Sequence, residues 1–165
     1  MLHGAETRTE SLHSTTMRVL GVDYGSKRIG LAVSDEEGEF AFPAGTLASR
    51  GRKKDLAALR AFISEREVGS AVVGLPIHMD GRRGPEAEKA IAFANDLSEI
   101  AGIPVETLDE RWTSQEAERT IQGISKKRRK NLRERGAVDE ASASIILRTY
   151  LAARQSNAPG GERPA

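Results

Sequence analysis

The sequence predicts an α/β fold: a five-stranded mixed sheet, in which three antiparallel strands are followed by strand-helix alternation, flanked by helices. Three observations lead there. Two apolar segments near the start, VLGVD and IGLAVS, are joined through a short glycine-containing turn, as in a hairpin. Residues 53–67 and 85–101 repeat apolar side chains at spacings of three and four, the period of a helix with one buried face. Between these helices AVVG is a short run without polar alternation, as expected of a strand buried on both sides. Antiparallel strands that give way to strand-helix units imply a mixed sheet covered by helices.

The elements follow in order. Residues 18–23 carry Val19, Leu20 and Val22, and residues 29–34 carry Ile29, Leu31 and Val33. Residues 40–47 form a weaker third strand, because Pro43 removes a ladder donor and suits an edge or a bulge. The helix over 53–67 presents Leu56, Leu59, Ala61, Phe62 and Ile63, and the fourth strand spans 70–74. Pro85 suits the first turn of the next helix, whose Ala87, Ala90, Ile91, Ala94, Leu97 and Ile100 share a face. A fifth strand covers 105–109. TSQE at 113–116 has the pattern of a capping box, with Thr113 as N-cap and Glu116 three residues on, and predicts a helix to about Gly123. A last helix over 139–154 turns Ala143, Ile146, Leu147 and Tyr150 inward.

At 165 residues the chain suits one domain with a core of its own. Residues 1–16 lack an apolar period and read as a flexible extension, residues 17–154 as the domain, and residues 155–165 as a disordered tail rich in Pro, Gly and polar groups. With no cysteine, disulfides, thiolate metal sites and a cysteine nucleophile are excluded, so a metal must be held by oxygen or histidine. The three histidines offer little: His3 and His13 lie in the extension, and His78 is one imidazole in a loop. No apolar run approaches the ~20 residues of a membrane span, and the start lacks a signal-peptide core, so a cytoplasmic protein is expected. The net charge of +1 names no partner.

Ligands in open α/β sheets gather at the carboxyl ends of the parallel strands, and three acids map there. Asp23 ends the first strand, Glu110 follows the fifth in LDERWTS, and Asp139 opens the last helix. Hard divalent cations take such oxygen ligands, and two of them can activate water and stabilise a leaving oxygen in phosphodiester hydrolysis. Each acid also has a plain structural reading. Asp23 can make an Asx-turn, Asp139 an N-cap, Glu110 a solvated ion pair with Arg111, and Asp109 can simply close its strand. Convergence of three at one end of the sheet favours a site. KKRRKNLRER at 126–135 adds seven cations against one glutamate, and GLPIHMDGRRG at 74–84 offers backbone N–H groups with Arg82 and Arg83 to phosphates.

Four blocks, VLGVDYGSKRIGLAVS, VVGLPIHMDG, LDERWTS and VDEASASIIL, together resemble the YqgF family, also called RuvX-like, of small ribonuclease H-fold nucleases. The resemblance covers residues 18–151. It implies a ribonuclease H-like fold and a part in maturing the 5′ end of 16S ribosomal RNA precursors, some members being described as Holliday-junction resolvases. It assigns Asp23, Glu110 and Asp139 as catalytic metal ligands for magnesium, with manganese as a substitute, and Asp23 as the bridge between two ions. Products would carry 5′-phosphate and 3′-hydroxyl ends. Lys27, Arg28, Arg82, Arg83, Arg111, Lys126, Lys127, Arg128, Arg129, Lys130 and Arg133 would contact nucleic acid, with precursor rRNA preferred, branched DNA as the alternative, and ribosomal precursor particles as partners. The wider superfamily places its middle acid after strand four, where this chain has only Gly74, Leu75 and Pro76, so Glu110 would act from the neighbouring strand. His78 stands where an asparagine is commoner. Two alternatives remain: a nucleic-acid-binding module without catalysis, and a sugar-kinase or actin-like ATPase, whose first phosphate loop the opening strand, DxG and hairpin resemble.

Overall fold

A computed structural model describes residues 17–113 and 137–156 of the chain. Five strands, β1 (Arg18–Tyr24), β2 (Arg28–Ser34), β3 (Ala41–Ala48), β4 (Val68–Leu75) and β5 (Val105–Asp109), form one sheet in the order β3-β2-β1-β4-β5. β1 pairs antiparallel with β2 and β2 with β3, while β1–β4 and β4–β5 are parallel. The helices are α1 (Arg52–Glu65), α2 (Pro85–Ala101) and α3 (Ala137–Ser156). Pro43 sits on the edge strand, and the β2–β3 register shifts between Leu31 and Ala32, so both expectations for that proline are met together.

Period-two alternation sorts the strand residues onto two faces. Leu20, Val22, Ile29, Leu31, Ala71 and Val73 face α1 and α2, forming the larger core around Leu59, Phe93 and Leu97. Phe93, which the three-and-four reading of α2 omits, is fully buried and stacks on Tyr24 with ring centroids 4.0 Å apart. Ile100, assigned to that face, is 37% exposed, because the face that packs on the sheet is rotated toward Phe93. Ala61 is likewise exposed on α1, whose buried residues are Asp55, Leu56, Leu59 and Ile63.

Val19, Ala32 and Val72 face α3, which buries Ala143, Ile146, Leu147, Tyr150 and Leu151 against them. Each of its large apolar side chains contributes ~1.5–3 kcal/mol on full burial. This face of the sheet is built from small residues, so the helix lies close: a side chain at Gly21 would meet Leu147 Cβ at 2.7 Å and the Ala143 carbonyl at 2.9 Å. Helix α3 continues to Ser156, two residues into the stretch read as a tail. The extension, the helix expected over 114–123 and the basic run at 126–135 lie outside the described residues. Among the described residues no helix is long and apolar enough to cross a membrane.

Candidate active site

Asp23 lies near the end of β1, two alternations past Val19 and therefore on the face that α3 covers. Its partner across the antiparallel pair is Gly30. A side chain at Gly30 would strike the Asp139 carbonyl, so the missing side chain lets α3 settle directly over β2 beside Asp23. Asp139 is within the helix rather than capping it, since helical backbone already begins at Ala137 among the described residues, which corrects the N-cap reading. Its carboxylate faces Arg28 at 3.9 Å.

Glu110 begins a short 3-10 turn, Glu110–Trp112, directly after β5. Asp109 fixes that turn: its carboxylate accepts the Arg111 backbone N–H at 2.9 Å and the Arg111 guanidinium at 2.9 Å from Nε and 2.7 Å from Nη2. From the other side, the Thr113 N–H and hydroxyl donate to the Glu110 carbonyl at 2.9 and 2.8 Å. Thr113 thus ends the 3-10 turn, and the rest of its expected capping box lies outside the described residues. Arg111 pairs with Asp109 and not with Glu110, contrary to the solvated-pair reading. The Glu110 carboxylate folds back over β4 into the space a side chain at Gly74 would take.

Electrostatics tie the acids together. Burial pushes the Asp23 carboxyl up to about 6, and repulsion from Asp139 adds to it. Burial likewise pushes Glu110 up to about 7, with repulsion from Asp23 and then Asp109. Asp109 itself is held below the usual carboxylate range by its hydrogen bonds to Arg111. Asp23 is therefore the shared member of two repelling carboxylate pairs. Among the described residues no three acidic or histidine side chains are close enough to make a preformed metal cage. The donor set still suits a hard divalent cation, which takes one or two carboxylates and completes its shell with water and substrate phosphate oxygens.

The cations fall into two groups. Lys27 is exposed in the β1–β2 turn, and Arg83 is exposed in the loop after β4. Arg82 is held by Asp80, with a backbone N–H to carboxylate bond of 3.0 Å, and Arg111 by Asp109. Gly81 lies against Arg111, 3.6 Å from Nη1 to the position of a Cβ, so the β4–α2 loop and the 3-10 turn form one arginine-bearing rim. Lys126, Lys127, Arg128, Arg129, Lys130 and Arg133 lie outside the described residues. Sequence reasoning missed Gly30, gave Gly74 only as the absence of an acid, and read Asp109 as no more than the close of its strand, whereas its carboxylate organises the turn that carries Glu110. Period-two spacing of Gly21 with Asp23 was the available signal that this face is cut to receive a helix.

A family model described as RuvX, Holliday junction resolvase, matches residues 17–153. The chain belongs to the RuvX family. It is 44% identical over 142 residues to a protein of Anaeromyxobacter sp. (strain Fw109-5) provisionally named a pre-16S rRNA nuclease, covering 85% of this chain and all of that one. A Chloroflexus aurantiacus (strain ATCC 29366 / DSM 635 / J-10-fl) protein of the same provisional name is 40% identical over 139 residues, 84% of this chain and 89% of its own. Thermus thermophilus RuvC, solved with a Holliday junction substrate, superposes with a TM-score of 0.54 at 16% identity, over 86% of this chain and 98% of that one. Fowlpox virus resolvase, solved with junction DNA, gives 0.50 at 12%, over 84% and 99%. These two solved structures share the fold, which is ribonuclease H-like, with this RuvX-family member.

Proposed function

We propose that this chain is a magnesium-dependent endonuclease that processes the 5′ end of precursor 16S ribosomal RNA in the cytoplasm, with residues 17–154 as the nuclease domain. One observation carries the proposal: Asp23, at the end of β1, is repelled by Asp139 of α3 and repels Glu110, which follows β5 and reaches back over the end of β4 between them. Such a cluster is unfavourable by itself and becomes favourable when a divalent cation neutralises it. The names of the relatives supply the substrate, and family membership favours a nuclease over the ATPase alternative.

Asp23, Glu110 and Asp139 would hold magnesium, with manganese as a substitute. Bound there, the metal supplies the positive charge that makes water nucleophilic and stabilises the departing oxygen of a phosphodiester. The rest is done by the chain. Burial of Asp23 and Glu110 keeps the electrostatics strong, and Gly30 and Asp109 fix where the acids stand. Lys27, Arg28, Arg83 and the rim of Arg82 and Arg111 position backbone phosphates. The basic run at 126–135 would add phosphate contacts of its own.

Side-by-side digestion of a precursor 16S RNA and a four-way DNA junction, with and without magnesium, tests the reading. Cleavage of the RNA at its 5′ region, dependent on the metal and leaving 5′-phosphate ends, is the expected result. Preferential cleavage of the junction would favour the second reading, branched DNA, which the description of the family supports. Binding without cleavage of either would leave a nucleic-acid-binding module.

A further inference from the structure

We infer that Gly74 is a positioning residue for Glu110: the missing side chain at the end of β4 opens the volume that the Glu110 carboxylate fills, delivering an acid from β5 across β4 toward Asp23. The inference rests on the reading of Glu110 as a site acid. In the β4–β5 register Gly74 pairs with Leu108 and Leu75 with Asp109, so Glu110 starts one step beyond the last ladder pair and a full strand away from β1. To reach Asp23 its side chain must turn back over β4. On the α3 face of β4, alternation places Val72 and then Gly74 in the way.

Three groups compete for this one volume. A Cβ built on Gly74 would collide with Glu110 Oε1, stand 3.2 Å from its Cδ, and lie 2.6 Å from Ile146 Cδ1 of α3. The backbone of Gly74 is not in the left-handed region, so conformation does not demand glycine there. Space does. Ile146 is a buried core side chain at 2% exposure and cannot swing into solvent, whereas the Glu110 carboxylate is the far end of a flexible side chain that is only partly buried. A methyl at position 74 therefore displaces the Glu110 carboxylate and also crowds Ile146, and the two effects are separable because each has its own partner.

The test uses Gly74→Ala, Ile146→Val, Glu110→Gln and their combinations in the full chain. Three quantities are read: kcat and KM with magnesium on the substrate that the wild type cleaves, manganese affinity of the free protein by calorimetry, and melting temperature. Gly74→Ala should lower kcat about 10- to 100-fold with little change in KM, and should weaken manganese binding by about 10-fold. Adding Ile146→Val removes the contact with the core, so it should restore the melting temperature while kcat and manganese affinity stay low. In the Glu110→Gln background, Gly74→Ala should cost less than about twofold more, because two residues acting through one group are not additive. Full recovery of kcat and manganese affinity in Gly74→Ala/Ile146→Val would overturn the inference, leaving core crowding as the whole effect. Wild-type cleavage by Glu110→Gln would instead overturn the reading of the site itself, and the inference with it.

Discussion

Asp23 and Gly30 face each other across the β1–β2 pair, one supplying a carboxylate and the other nothing at all. The gap at Gly30 is where the Asp139 carbonyl lies, so a glycine on one strand brings an acid on a helix to an acid on the neighbouring strand. Gly30→Ala should therefore do two things. Overpacking against backbone costs about 1–3 kcal/mol, and the displaced α3 carries Asp139 away from Asp23. Denaturant unfolding should show a lower midpoint, and cleavage at temperatures where the variant is fully folded should still be depressed. A variant that is destabilised yet fully active when folded would separate the helix contact from the site.

Asp23→Asn should abolish cleavage, by at least about 100-fold, without unfolding the protein. The change removes a charge but little volume, and that charge is repelled by Asp139 and repels Glu110. Metal-free Asp23→Asn should then be at least as stable as the wild type, and nucleic-acid binding should persist. A fall in melting temperature without loss of cleavage would return Asp23 to a structural turn residue.

The raised carboxyls make a prediction about pH. Asp23 and Glu110 hold protons more tightly folded, at about 6 and about 7, than unfolded, near 3.8 and 4.5. Their contribution to stability is therefore present in full below about pH 4 and is lost as pH rises through about 7. With allowance for solvent screening, each amounts to on the order of 1 kcal/mol or more. Urea melts of the metal-free protein from pH 4 to 8 should show this decline against the background of other groups. Glu110→Gln should flatten it, and magnesium should offset it at neutral pH.

Asp109→Ala should reduce kcat while sparing the fold. The carboxylate holds the Arg111 backbone and guanidinium and so sets the 3-10 turn from which Glu110 projects. Arg111→Lys should be partly impaired, since an ammonium cannot reproduce the two-nitrogen contact. Steady-state kinetics of both variants check it: a change confined to KM would mean that Arg111 matters for phosphate contact alone.

The run at 126–135 should bind phosphates. Replacing Lys126, Lys127, Arg128 and Arg129 with alanine should weaken nucleic-acid binding across sequences and flatten its salt dependence by up to about 0.7–0.9 in log-log slope per lost contact. An unchanged slope would show that the substrate lies elsewhere.

The sequence by itself determined the elements and their order. α2 and β5 match their expected bounds, and the other described strands and helices fall within about two residues, because apolar period and punctuation by glycine and proline are local properties of the chain. It also nominated the three acids, since carboxylates at strand ends stand out against an apolar background. Tertiary structure alone decided how they meet. That the Asp139 backbone lies over Gly30 and that Glu110 turns back over Gly74 depend on groups far apart along the chain, whereas the Asp109–Arg111 pair, two residues apart, is a local contact of the turn. The same holds for α2, where packing against Tyr24 selected Phe93 and left Ile100 at the surface. A glycine in a strand reads as a weakness until the helix that needs its empty space is in place, and close packing is a property of the pair, which neither segment's sequence states alone.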